Sequence, residues 1–411
     1  MTGRSERALA CAIAQVPGDM SPRPGAGVLV WAALVVLATG CCATQPIGGK
    51  PSIIGAPPIP NRPEPRPTLP ADPPEFAVID TDEVRRRLWP EPGPPAYVAP
   101  DERQTTALAT LVRGMLAEPM APRAELALAA SAAGFALEGW SVAGRHYLAA
   151  FEQPNRRGGG GAYIVRVPEA PATPSTTTLT VPLTAPPTAP PLAPPGTVAT
   201  TATTTTVPAP AQATEPPTIL QAPHGFFDLG TETIALEILL SEPDWPRALF
   251  VNTVHRYLGH DGVRRKQQDS PADPCHSNGH LLAVATGAAL DAQPHAEIIQ
   301  LHGFGDHDDN FTGPQPAAIV SAGLPDAPTP RSRLLAARLR DALGVEVALF
   351  PVDTDRLGAT TNVQGRVIHA RGGAEFLHIE MSASLRQWLR NDAAARARLV
   401  TALRRDPRGS P

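Results

Sequence analysis

Three short segments of this chain place histidines and acids where a cation could be held. The first is Pro223-His224-Gly225-Phe226-Phe227-Asp228, directly after the apolar run Thr218 to Ala222. A His and a carboxylate four residues apart, on a turn leaving a strand, can converge on one ion. The second, Leu301-His302-Gly303-Phe304, follows the run EIIQ. Two neutral imidazoles and one carboxylate are the usual ligand set of a catalytic zinc, with the fourth position left to water. The third is Phe376-Leu377-His378-Ile379-Glu380-Met381-Ser382, an apolar strand with an acid near its end. A carboxylate in such surroundings is costly unless it has a partner or a task. A single His after a strand is more often a hydrogen-bonded structural residue. Three such elements, each at the C-terminal end of a separate predicted strand, stand where α/β proteins place their sites and point to a metal centre.

Two further clusters carry less. His276 and His280 are four apart in Cys275-His276-Ser277-Asn278-Gly279-His280, but Ser277 and Gly279 fit a helix N-terminus better than a mid-helix metal pair. They are expected on the substrate side or as structural groups. Gly305-Asp306-His307-Asp308-Asp309 reads as a solvated polar loop. No G-x-S-x-G elbow and no H-E-x-x-H helix occurs, which disfavours a serine hydrolase and the common metalloprotease arrangement.

The elements that must position these residues alternate in the α/β manner. Helices are expected over 103–117, 124–137, 231–241, 278–291, 331–343 and 383–404, and strands over 139–142, 147–151, 162–167, 218–222, 248–254, 297–302, 317–321, 345–350 and 376–381. Apolar strands between amphipathic helices imply a mixed, mostly parallel sheet covered on both faces.

PHGFFD, QLHGF and LHIEMSASLR, in that order with helices between them, resemble the zinc carboxypeptidase-like superfamily, nearest to its poly-γ-glutamate hydrolase and N-formylglutamate amidohydrolase branches. The resemblance runs over roughly 218–390 through short motifs. It implies that His224 and His302 are zinc ligands, Asp228 the carboxylate ligand and Glu380 the general base. The family pattern has two residues between its first His and its carboxylate, whereas three separate His224 from Asp228, so Glu232 stands as an alternative ligand. In the implied reaction, zinc polarises the scissile carbonyl and acidifies its water, and Glu380 carries the proton to the leaving amine. A cation is then wanted for the oxyanion or a substrate carboxylate. Arg256, at the end of a strand, is the first choice and Arg386 the second.

The whole chain has 411 residues, 50 of them Pro and 34 Gly, and a net charge of −4, so it offers no basic field for nucleic acid. Residues 1–40 read as a signal peptide: Arg23 precedes the apolar run VLVWAALVVLA, and Thr39-Gly40-Cys41 follows it. The uncharged stretch from Gly25 to Gly40 falls short of the ~20 residues of a spanning helix. Cys41 is the expected lipidation site, and 41–100 a disordered tether. Residues 101–167 are expected to form the N-terminal part of the catalytic domain and 218–405 its α/β body. The Pro- and Thr-rich 168–217 admits two readings, an insertion between neighbouring strands AYIVRV and TILQA or an inter-domain linker. The resulting expectation is an exported, membrane-anchored zinc hydrolase in the periplasm or cell envelope, cutting an amide or peptide bond of a peptide or acylated amino acid. Its rival is a lipid-anchored binding or scaffold protein that keeps the fold without the activity.

Labelled fatty acid should enter the wild-type protein in a bacterial host and be lost on Cys41→Ser. Equal labelling of the two would remove the anchor and leave export alone.

Overall fold

The computed structural model describes residues 76–90, 93–168, 215–266, 270–307, 311 and 314–405. Buried residues run through whole strands, rather than alternate positions, in β4 (Ala162–Arg166), β5 (Thr218–Ala222), β6 (Ala248–Val251) and β7 (Glu297–Gly303). Such strands need cover on both faces. They form the middle of a ten-stranded sheet, with β1 (Ala77–Val78), β2 (Phe135–Val142) and β3 (Arg145–Glu152) on one flank. On the other lie β10 (Glu375–Met381), β8 (Ala318–Ser321) and β9 (Val347–Leu349). The order is β1-β2-β3-β4-β6-β5-β7-β10-β8-β9.

One face is covered by α1 (Thr81–Leu88), α4 (Thr231–Ser241), α6 (Pro330–Leu343), α8 (Ala383–Asn391) and α9 (Ala393–Leu403), whose apolar residues join one core. The other is covered by α2 (Glu102–Leu116), α3 (Arg123–Ala133), α5 (Leu281–Ala292) and α7 (Val363–Arg371) around a second core. The expected mixed, mostly parallel sheet between two helical layers is what forms. Strands β6, β5, β7 and β10 run parallel to one another, so their C-terminal ends share one rim.

Several boundaries differ from the sequence expectation. A helix stands ahead of Asp101, inside the 41–100 stretch expected as a disordered tether: α1, capped by the Asp80 side chain on Glu83 N, buries only Val84 and Leu88. Two apolar residues between Pro-rich flanks leave little periodicity to read. The helix expected over 124–137 stops at Ala133, because Gly134 takes the left-handed conformation (φ 86°) and β2 starts at Phe135. The single helix expected over 383–404 is two, since the Asp392 side chain accepts from Ala394 N and Ala395 N and starts a new one. Strands β4 and β5 are not neighbours: β6 lies between them, antiparallel to β4 and parallel to β5. The signal segment 1–40, Cys41 and residues 169–214 lie outside the described residues. No helix among the described residues is long and apolar enough to cross a membrane.

Val165 and Ile219 both stand opposite Ala248, on either side of β6. The end of β4 and the start of β5 are therefore two strand spacings apart, about 10 Å, a span that a short loop bridges. Replacing 170–215 with a Gly/Ser loop should leave the melting temperature within a few degrees. Residues 218–411 alone, which lack the β4 neighbour of β6, should not reach full stability; full stability of that fragment would make 168–217 an inter-domain linker.

His280 caps α5 by accepting from Leu282 N and is fully buried, and burial pushes its pKa down to about 4 from an ordinary 6.5. Above pH 6.5 it is neutral in both the folded and unfolded chain. Between 6.5 and 4 only the unfolded chain takes up the proton, so up to about 3 kcal/mol of stability is lost as pH falls through that window. Asn also caps helices and does not titrate. In urea unfolding, any stability advantage of wild type over His280→Asn should therefore shrink from pH 6.5 to 4, and a constant difference would refute this.

Candidate metal centre

The shared C-terminal rim of β5, β7 and β10 carries the histidines and acids. His224 and Asp228 leave β5 on a tight turn in which Phe227 N and Asp228 N both donate to His224 O at 2.7 Å. That turn brings positions i and i+4 to one side, which is how a spacing of three intervening residues presents both groups together. Asp228 Oδ2 lies 3.3 Å from His224 Nδ1 and 3.2 Å from His302 Nδ1. All three residues are buried. In the sheet register, Glu380 of β10 pairs with His302 of β7. The alternative carboxylate, Glu232, turns elsewhere: it accepts from Gly230 N at 3.0 Å and from Thr233 Oγ1 at 3.2 Å.

Each imidazole is held by its other nitrogen. His224 Nε2 is 3.0 Å from Asp273 Oδ1, and His302 Nε2 is 3.2 Å from Gln300 Oε1. These acceptors call for a proton on Nε2 and leave Nδ1 facing Asp228. Arg256 supports the first arm, since its Nε donates to Asp273 Oδ2 at 2.8 Å and its Nη1 stands 3.2 Å from His224 Nδ1. Asp273 is fully buried, and it belongs to a polar loop whose lack of periodicity left it unmarked in the sequence.

Negative charge dominates the electrostatics. Burial opposes charge on His302, yet Cys275 and Asp228 outweigh it and hold its pKa up at about 9. Burial likewise opposes charge on His224, which Cys275, Asp228 and Asp273 hold well above the ordinary value. Asp228, although buried, is held well below the carboxylate range by the two imidazoles. The donor types, two imidazoles and a carboxylate, are those that zinc takes, and Asp228 Oδ2 lies 3.3 and 3.2 Å from the two Nδ1 atoms.

Two groups have ligand atoms mutually within 4.8 Å, namely His224/Cys275/His302 and His302/His378/Glu380. Both contain His302, and its Nε2 already faces Gln300 Oε1 at 3.2 Å. Cys275 Sγ lies 3.8 Å from His302 Nε2, the nitrogen turned away from Asp228, which makes Asp228 the better third ligand. Glu380 Oε2 and His378 Nδ1 are buried with no hydrogen-bond partner among the described residues. Burial pushes Glu380 up to about 7, although His302 pulls it down.

These residues open into a cavity of about 750 Å³, which Arg256, Arg386 and His276 also line. Arg386 is fixed by main-chain carbonyls, donating from Nε to Leu229 O at 3.1 Å and from Nη1 to Phe304 O at 3.1 Å and to Met381 O. A side chain at Gly303 would collide with its guanidinium, so that position requires glycine. His280, one of the possible substrate-side groups, is instead the α5 cap, stacked on Tyr97 with ring centroids 5.7 Å apart and outside the cavity lining.

No sequence-family model and no curated protein matches the chain. Among solved structures, N-formylglutamate amidohydrolase from Ralstonia eutropha JMP134 is 14% identical at a TM-score of 0.31, over 45% of this chain and 92% of that one. A metallo-carboxypeptidase from Burkholderia cenocepacia is 14% identical at a TM-score of 0.30, over 47% of this chain and 59% of that one.

Proposed function

We propose that this chain is a metal-dependent hydrolase of an amide or peptide bond, with zinc as its metal. The observation that carries the reading is Asp228 Oδ2 bracketed by the Nδ1 atoms of His224 and His302, beside the unpartnered carboxylate oxygen of Glu380. His224, His302 and Asp228 would hold the ion. When bound, zinc polarises the scissile carbonyl and lowers the pKa of a water from about 15.7 towards 7. Glu380 takes the proton of the attacking water on its free oxygen and delivers it to the leaving nitrogen. Burial raises its pKa above the ordinary carboxyl value, which favours its holding a proton in transit.

Arg256, braced by Asp273, presents positive charge on the cavity wall for the developing oxyanion or a substrate carboxylate. Arg386 adds a second, rigidly held charge. The apolar run before Cys41 supports export and a lipid anchor, with a peptide or acylated amino acid outside the cytoplasm as substrate.

The ligands and the base should fail differently. His224→Ala or His302→Ala should lose zinc and activity together, measured by elemental analysis and amide hydrolysis. Glu380→Gln should keep zinc while turnover drops ~10²–10⁴-fold. Asp228→Asn should lose zinc and Glu232→Gln should not. If Glu380→Gln loses zinc as readily as His302→Ala, the base assignment fails. A zinc-loaded wild type that hydrolyses no amide across a peptide and acyl-amino-acid panel would favour the binding-protein reading.

A further inference from the structure

Polar side chains in the middle of a sheet are costly unless every atom is satisfied. Beneath the metal centre stands a set of buried amides that meets this demand in only one orientation. Gln221 of β5 and Gln300 of β7 pair in register and are both fully buried. Gln300 Nε2 donates to Gln221 Oε1 at 2.8 Å and to Gln364 Oε1 at 3.3 Å. Gln300 Oε1 accepts from Asn362 Nδ2 at 2.8 Å and faces His302 Nε2 at 3.2 Å.

Amide orientation is ordinarily assigned from the surrounding network. Here three main-chain groups fix it independently. Asn362 Oδ1 caps α7 by accepting from Gly365 N at 3.1 Å, so its NH2 must face Gln300. Gln364 Nε2 donates to Pro274 O at 2.7 Å, so its oxygen must face Gln300. Thr286 Oγ1 donates to Leu282 O at 2.8 Å, so its oxygen accepts from Gln221 Nε2 at 2.9 Å and turns Gln221 Oε1 towards Gln300. All three routes place the oxygen of Gln300, never its NH2, against His302.

From this geometry, and resting on the zinc-hydrolase reading above, we infer that Gln300 is a positioning residue that fixes the His302 tautomer. Its oxygen keeps a hydrogen on Nε2, so that Nδ1 is the nitrogen presented to the cation. Gln221, Gln364, Asn362 and Thr286 hold Gln300 in that orientation. The two zinc imidazoles thus reach the same tautomer by unlike means: an anionic acceptor, Asp273, for His224 and a neutral, main-chain-anchored amide for His302.

The test measures zinc affinity by competition with a chromophoric chelator, alongside long-range ¹⁵N–¹H NMR of the histidine rings. Gln300→Met keeps length without an acceptor and should weaken zinc ~10–100-fold. Gln300→Glu keeps an acceptor for Nε2–H but loses the two donors to Gln221 and Gln364, so it should recover part of the affinity lost in Gln300→Met. In zinc-loaded wild type, His302 should show hydrogen on Nε2 and metal on Nδ1, a readout that needs no variant to fold. Metal on Nε2, wild-type affinity in a folded Gln300→Met, or an equal loss in Gln300→Glu would each overturn the role of Gln300. Wild type that binds no zinc would instead overturn the zinc-hydrolase reading itself.

Discussion

The site depends on keeping the carboxylate of Asp228 ionised out of water between two imidazoles. Removing a carboxylate from solvent costs several kcal/mol even after the protein relaxes around it. That cost is offset only if positive charge sits within bonding distance, and His224 and His302 provide it as proton or cation carriers at 3.3 and 3.2 Å. In the proposed metal site, both imidazoles turn the same nitrogen, Nδ1, towards Asp228. Much of the buried polar structure around it, from Asp273 and Arg256 on one side to the glutamines on the other, serves that orientation.

The parallel sheet makes such control possible. Side chains two residues apart on a strand share a face, so Gln300 lies directly below His302, and His378 directly below Glu380. Register then aligns Gln221 with Gln300 and His302 with Glu380 across strands. Support and ligand are consecutive rungs of the same rigid elements, and no mobile loop intervenes between them. The turn after β5 is the exception, and there two main-chain hydrogen bonds to His224 O perform the same service.

How much of this was legible in the sequence follows from what each signal measures. Hydrophobic runs report burial, so the central strands and the amphipathic helices were readable, and with them the strand ends that bring His224, Asp228, His302 and Glu380 into one cavity. Runs do not report which strand pairs with which, and β6 sits unforeseen between β4 and β5. Periodicity also fails where a helix shows only two apolar residues, as in α1, or where one acid both ends and begins a helix, as Asp392 does. Asp273 and the buried amides were invisible for another reason. A Gln inside EIIQLH looks the same whether it faces water or completes a network whose other members lie 64 and 79 residues away.

The register of β4 and β5 on β6 also gives the molecule a front and a back. β4 ends and β5 starts at the N-terminal end of the parallel strands, whereas His224, His302 and Glu380 crowd the C-terminal end. The rim that carries His224, His302 and Glu380 is therefore opposite the one where β4 ends and β5 begins, and chain spliced between those two strands leaves the histidine-bearing turns in place. An affinity tag or reporter spliced there would approach from behind, leaving the cavity mouth clear.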